Sequence, residues 1–280
     1  MSDAPAPTKP ILVVVTSDHH TGSTVGVCPP EGVRLDDAGR YLPSRPQKWL
    51  WKCWEDLWGH FGNLRRQAGA DLWVVYNGDM VDGDHHNTHQ IISRNPDAQK
   101  YVAERVFSVP ALLHPERLFV VRGTEAHVGS GGSSEESLAK SLNAERDEET
   151  HTWSRWRLML EAHGVLMDFQ HHGKVGSQPW TRQNVVNANA AKIFYEFASR
   201  GRRHPDLAFR SHAHQSADSF EAQPVRLIQT PSFQLKTGYV HKVAPENIAD
   251  VGGVAALIQP DGRYEIIKRL YEPSLPKVVK

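Results

Sequence analysis

Aspartate and histidine recur just after apolar runs in this chain. Ile11–Thr16 leads into Asp18-His19-His20, and Leu72–Asn77 into Gly78-Asp79-Met80-Val81-Asp82. Leu118–Arg122 leads into Gly123-Thr124-Glu125-Ala126-His127. Val165–Gln170 leads into His171-His172-Gly173, and Leu207–Arg210 into Ser211-His212-Ala213-His214. Histidine and carboxylate together, without cysteine, suit Mn, Fe, Zn or Ni better than Ca or Mg. The donors outnumber the needs of one ion. Two ions sharing a carboxylate can clamp a phosphoryl group and make hydroxide available at neutral pH. Asp79, beside a glycine that lets backbone approach closely, is the natural bridge.

Spacing selects among the histidines. Extended backbone sends alternate side chains to one side. Asp18 and His20 then face one ion together while His19 points away, and His212 pairs with His214 by the same logic. Between the adjacent His171 and His172, His172 is preferred because Gly173 after it admits close packing.

The elements that must deliver these groups are legible in the apolar pattern. Several runs are continuous rather than alternating, as in strands buried on both faces. Helical spacing links them: Leu50, Trp54, Leu57, Phe61, Leu64 and Ala68 recur at three- and four-residue steps in 49–68. Its tryptophans read as a face packed on a sheet rather than as a binding stripe. Segments 183–199 and 135–144 are further helix candidates, with Ser133 and Glu136 spaced as a capping box. Short strands near 225–229, 254–258 and 264–267 make the last third β-rich. The expectation is an α/β fold of two packed sheets with helices outside. Ligands at the C-terminal ends of strands are where such sheets place their sites. Residues 1–10 read as a disordered tail and 11–275 as one domain. The Gly/Pro-rich loop 21–48 is long enough to be functional.

Composition narrows the classes. Lys+Arg and Asp+Glu are equal at 32 each in 280 residues. That balance provides no broad basic surface for nucleic acid or an anionic membrane. No apolar run approaches the ~20 residues that span a bilayer. The two cysteines, Cys28 and Cys53, form no disulfide framework. The start "MSDAPAPTKP" has no basic and apolar leader pattern. A cytoplasmic protein is expected.

The order Asp-x-His, Gly-Asp-x-x-Asp, a Gly-led segment, His-Gly and His-x-His across residues 18–214 resembles the calcineurin-like metallophosphoesterase superfamily. The resemblance implies a two-sheet α/β sandwich with a di-metal centre. It implies Asp18, His20 and His214 on the first metal, Asp79 as bridge, and His172 and His212 on the second. The third motif departs from the family's Gly-Asn-His-Glu/Asp. Thr124 stands at the Asn position and Glu125 at the His position. Glu125 becomes a candidate metal ligand. His127, two residues on, becomes a candidate proton donor or else a solvated loop histidine. Asp82 is a candidate to orient a ligand histidine. Arg122 and Thr124 are candidates to meet the phosphate. His85, with His86 and His89, is a candidate to line the cleft. The implied activity is hydrolysis of phosphomono- or phosphodiesters by a two-metal hydroxide mechanism. Mn²⁺ is the first expected ion, with Fe, Zn or Ni as alternatives. The substrate is a phosphate ester, nucleotides and nucleic acids included. The rival readings are a nuclease or cyclic-nucleotide phosphodiesterase of the same fold, and a metal-poor protein-binding scaffold.

Overall fold

Every residue of Ile11–Thr16 is buried, because the strand is covered on both faces. In the computed structural model, which describes residues 9–35, 37–85, 88–274 and 279, Leu12 and Val14 point into one apolar cluster while Ile11, Val13 and Val15 point into another. That is the period-two geometry of a central strand.

In chain order the strands are β1 (Ile11–Thr16), β2 (Val33–Arg34), β3 (Arg40–Tyr41), β4 (Asp71–Asn77), β5 (Arg117–Val121), β6 (Ser154–Arg155) and β7 (Leu158–Ala162). There follow β8 (Val165–His172), β9 (Leu207–Ser211), β10 (Ala217–Asp218), β11 (Arg226–Gln229), β12 (Val251–Ile258) and β13 (Tyr264–Tyr271). The longer helices are α1 (Arg45–Ala68), α2 (Pro96–Ala111), α4 (Ser133–Ser141) and α5 (Arg182–Ala198); α3 (Glu125–Val128) and α6 (Gly238–Val243) are short. One sheet has the order β13-β12-β1-β4-β5-β6 and the other β10-β11-β9-β8-β7. Val13, Val75, Phe119 and Val121 from the first sheet meet Leu160, Met167, Phe169 and Phe209 from the second in a core between the sheets. A second core lies between the first sheet and α1, α2 and α4, and a smaller one between the second sheet and α5. The expected two-sheet α/β sandwich with flanking helices is the architecture observed.

Parallel pairing brings the site-bearing ends together. β1, β4 and β5 run parallel in one sheet, and β8 and β9 in the other. Asn77, at the end of β4, ties the two sheets: its side-chain amide donates to Gln170 O (3.1 Å) and Ser211 Oγ (2.6 Å).

Helix α1 starts earlier than its apolar spacing suggests. Ser44 and Gln47 form a capping box, and Gly69, at φ 61°, ends the helix. Its tryptophans Trp54 and Trp58 are core residues, as expected. Helix α2 was not anticipated, although Asn95 as cap and Pro96 in the first turn are its start signals. The capping box expected at Ser133 and Glu136 is absent. Gly132 caps α4, and Glu136 instead accepts from the backbone of Trp153 and Ser154. Most of the expected tail, residues 1–8, and the expected domain end at 275 lie outside the described residues.

Candidate metal centre

Except for His171 at the end of β8, the candidate ligand residues do not sit on extended backbone. Asp18 (φ 51°), His20 (φ 44°), Asp79 (φ 52°), His212 (φ 72°) and His214 (φ 53°) are all left-handed. Each such non-glycine residue costs about 1–2 kcal/mol. Backbone bonds hold the turns in place: Asp18 N–H donates to Gly78 O (3.0 Å), His20 N–H to Asp79 O (3.0 Å) and Phe233 N–H to Asp18 O (3.0 Å). Tight turns, rather than the alternation of an extended chain, therefore aim the side chains of Asp18 and His20. His19 and His20 nevertheless part as expected. His19 is buried among Trp54, Tyr76, Phe107 and Phe233, while His20 joins Asp18 and His214.

Two carboxylates anchor the centre. Asp18 Oδ2 accepts from Ser17 Oγ–H (2.7 Å) and from His212 N–H (3.1 Å), which turns Oδ1 toward the histidines. Oδ1 lies 3.3 Å from His214 Nε2 and 3.9 Å from His171 Nε2. Asp79 Oδ1 accepts from Thr124 N–H (2.7 Å), and Oδ2 from the Thr124 hydroxyl (3.2 Å). Oδ2 lies 3.0 Å from His171 Nε2 and 4.0 Å from both His20 Nε2 and His212 Nδ1. A Cβ at residue 123 would meet Asp79 Oδ1 at 2.1 Å, so Gly123 is required for this approach.

The structure corrects several expectations. His171, not His172, meets the aspartates. His171 is buried, whereas His172 is exposed, with Nε2 3.5 Å from Thr124 Oγ1. The glycine that admits close packing here is Gly78, where a Cβ would lie 2.4 Å from His171 Nδ1. A bulge between Phe169 and His172 breaks the simple alternation of β8. Glu125 is exposed and joins none of the donor groups, because the chain turns into α3 at Thr124 and Glu125 opens that helix. Arg122 faces away from the centre. It donates to Ser154 Oγ (2.9 Å) and pairs with Glu136 (3.4 Å). Thr124 is placed in the centre, its hydroxyl also 3.2 Å from His212 Nδ1.

Asp82 lies behind His20, with Oδ1 3.1 Å from His20 Nδ1. His85 Nε2 is 3.6 Å from the same oxygen, and Gln234 Nε2–H donates to it at 3.3 Å. His127 Nδ1–H donates to Asp82 O (2.7 Å), and its ring lies 4.6 Å from that of His20 and 4.3 Å from that of His85. Asn77, Gln234 and Glu135 were missed as site residues. Glu135 is fully buried and accepts from Met80 N–H (2.9 Å) and Gly123 N–H (2.7 Å), which clamps the second and third motifs together. Its only sequence signal was a carboxylate at an apolar position of a helix.

Charge in the centre is strongly perturbed. Burial opposes ionisation of Asp18 and Asp79, but facing histidines, His214 for the first and His171 for both, hold the two carboxyls well below the usual range. Burial likewise opposes protonation of His171, yet Asp79 and Asp18 push it up to about 10. Burial and the neighbouring His20 push His127 down to about 4. Against burial, the His20 and His85 contacts bring Asp82 down to about 2.

These donors fit divalent metal. His171 gives Nδ1–H to Asn77 O (2.8 Å), so its Nε2 faces the carboxylates, and an ion bound there would replace the proton that Asp79 and Asp18 otherwise hold on it. Asp18 Oδ1 and His171 Nε2 are buried without a hydrogen-bond partner; the 3.0 Å approach to Asp79 lacks the alignment of one. These two buried orphans, one carboxylate oxygen and one imidazole nitrogen, face the donor atoms of Asp79, His20, His212 and His214, and a cation would satisfy them. Within 4.8 Å of one another lie donor atoms of Asp18, His20 and His214, of Asp79, His171 and His212, and of His20, Asp82 and His127.

The centre opens into a cleft of about 740 Å³. His20, Asp79, Asp82, His85, Thr124 and His127 form its floor, and His89 lies on its wall. His86 lies outside the described residues. No helix of the described residues is long and apolar enough to cross a membrane.

No family model matches the chain, and no curated protein matches it. Solved structures do. Vps29 of Entamoeba histolytica, crystallised with Zn²⁺, superposes with a TM-score of 0.41 at 11% identity, over 93% of this chain and 99% of that one. A dimetal phosphatase from Danio rerio gives 0.46 at 11% identity, over 94% and 99%. The sulfate thiohydrolase SoxB of Thermus thermophilus gives 0.45 at 12% identity, over 97% and 58%. These likenesses are distant, and the resemblance to the calcineurin-like metallophosphoesterase superfamily stands on the motifs and on the two-sheet frame that gathers their side chains.

Proposed function

We propose that the protein is a metal-dependent phosphoesterase acting on phosphomono- or phosphodiesters. The observation that carries this reading is the pair of donor groups flanking Asp79 Oδ2, one from Asp18, His20 and His214, the other from His171 and His212. Asp18, His20, His214 and Asp79 would hold one ion. Asp79, His171 and His212 would hold the second, with the Thr124 hydroxyl at its edge. Mn²⁺ is assigned first, and Fe, Zn and Ni compete for the same donors. Bound there, two divalent ions supply positive charge against phosphoryl oxygens and lower the pKa of water.

The protein's own part is orientation. Asp82 takes Nδ1–H of His20 and Asn77 O takes Nδ1–H of His171, so each ring presents Nε2 to the centre. Ser17 and the His212 amide fix Asp18, and Thr124 fixes Asp79. His127 differs from a resident acid. Its Nδ1–H is committed to Asp82 O and the ring is neutral near pH 7, so Nε2 accepts a proton before it can donate one to a leaving group. Glu125 and Arg122 have no part in this reading. A single catalytic domain over 11–275 and a cytoplasmic setting remain our assignment, the latter because Cys28 and Cys53 are buried and unpaired.

The test is hydrolysis of bis(p-nitrophenyl) phosphate and p-nitrophenyl phosphate by chelator-stripped protein with each metal restored in turn. Turnover that returns with Mn²⁺ supports the proposal. Protein that binds no transition metal and cleaves neither ester with any ion added refutes it.

A further inference from the structure

The part of the cleft lining formed by residues 235–240 is an unusual piece of chain. Helix α6 contributes no buried residue to any core. It is nevertheless fixed in place. Thr237 Oγ1 accepts from Val240 N–H (3.2 Å), Gly238 N–H donates to Gln90 Oε1 (2.7 Å), and Lys236 Nζ donates to Pro245 O (2.6 Å). The Gln90 bond ties this wall to a neighbouring lining segment that holds Thr88, His89 and Gln90.

The wall presents apolar surface to the cleft. Tyr239, Val240, Leu235 and Ile248 line it, and Tyr239 is 72% and Ile248 49% exposed. Packing does not explain Tyr239 and Ile248, which are turned toward open space, whereas Leu235 rests partly on the core beneath them. Exposed aromatic and branched residues grouped beside polar catalytic groups mark a ligand surface. Charge points the same way. Lys236 is the only lysine or arginine among the described lining residues, and its ammonium is turned to Pro245. A groove tracking a nucleic-acid backbone needs several cations along its length. The volume of about 740 Å³ suits one small organic molecule.

We propose that the cleft binds the organic part of a small phosphate ester, a planar aromatic group that lies on Tyr239 and is flanked by Ile248 and Leu235. This subsite rests on the phosphoesterase reading and narrows its substrate class to aryl or nucleoside esters over polymers. Tyr239 supplies a ring face at low entropic cost, and contacts of this kind discriminate without base-edge hydrogen bonds.

Calorimetric binding to the Mn²⁺-loaded protein tests it, with no turnover required. Phenylphosphonate and a nucleoside 5′-phosphonate serve as aromatic probes, and methylphosphonate and inorganic phosphate as small ones. At least one aromatic probe should bind roughly tenfold tighter than methylphosphonate. Tyr239→Ala should erase that advantage while leaving inorganic phosphate binding unchanged, and Ile248→Ser should reduce it. The two aromatic probes separate a simple aryl group from a nucleoside. Equal affinity for all four probes, or a Tyr239→Ala variant that keeps the advantage, overturns the subsite while leaving the phosphoesterase reading standing. Tighter, salt-sensitive binding of an oligonucleotide overturns it in favour of a polymer. Failure of every probe, inorganic phosphate included, counts against the phosphoesterase reading itself and removes the subsite with it.

Discussion

His19 and His20 are neighbours with opposite environments. His19 sits in an aromatic box, 4.9 Å from Phe107 and 5.3 Å from Trp54, with Nε2 2.9 Å from Thr16 Oγ1. His20 faces the aspartates. His19→Ala should therefore lower unfolding free energy by about 2–4 kcal/mol, as other large-to-small core changes do. It should leave metal binding measurable in the folded protein. His20→Ala should do the reverse, with near-normal urea stability in chelator and a loss of bound metal. Similar effects of both variants on metal content would contradict the division. Burial also pushes His19 down to about 3, so the unfolded chain takes its proton first as pH falls. Stability linked to this residue is fully present above about 6.5 and is lost as pH drops toward 3. Urea unfolding in chelator at pH 7 and pH 5 should show a shallower decline for His19→Phe than for the parent. Asp79→Asn, which removes the charge between the two donor groups, should abolish hydrolysis while leaving a folded chain.

Elements place these residues, and here sequence and structure agree unevenly. The strand ends that carry Asp18, Asp79, His212 and His214 were legible because both-face burial produces unbroken apolar runs that stop abruptly. What those ends do afterwards was not legible. Left-handed turns at Asp18, His20 and Asp79, the bulge in β8 and the early start of α3 each redirect a side chain. None of the three is written in a hydrophobic period. They account for His171 in place of His172 and for the exile of Glu125. Contacts between distant elements were equally hidden, and Glu135 of α4 is the clearest. Its carboxylate takes two backbone amides, one beside Asp79 and one beside Thr124. Glu135→Gln replaces one acceptor by a donor facing an N–H. Metal affinity should fall about 10- to 100-fold, as for other groups that orient ligands. Asp82→Ala should weaken affinity on the same scale by releasing His20 Nδ1. Titration calorimetry on the stripped variants reads both effects, and unchanged affinity would make Glu135 a merely structural clamp.

At the scale of the molecule, two stacked sheets bring the C-terminal ends of β1, β4, β5, β8 and β9 together, so that five chain segments meet. The sandwich was readable because its inner strands are apolar on both faces. The joint was not, because Asn77, which bridges the sheets, is one polar residue at the end of a strand. The joint decides function: Asp79 from one sheet and His171 from the other meet at 3.0 Å only when both sheets are docked. A metal spanning them should couple binding to global stability by mass action. The central claim is a two-ion centre built from Asp18, His20, Asp79, His171, His212 and His214. The most direct test is elemental analysis of the purified protein after loading with Mn²⁺ and removal of excess ion, in parallel for the parent and Asp79→Asn. Two ions per chain in the parent and loss of both or all but one in the variant is the expected result. One ion or none in the parent, or an unchanged count in Asp79→Asn, would contradict a centre bridged by Asp79.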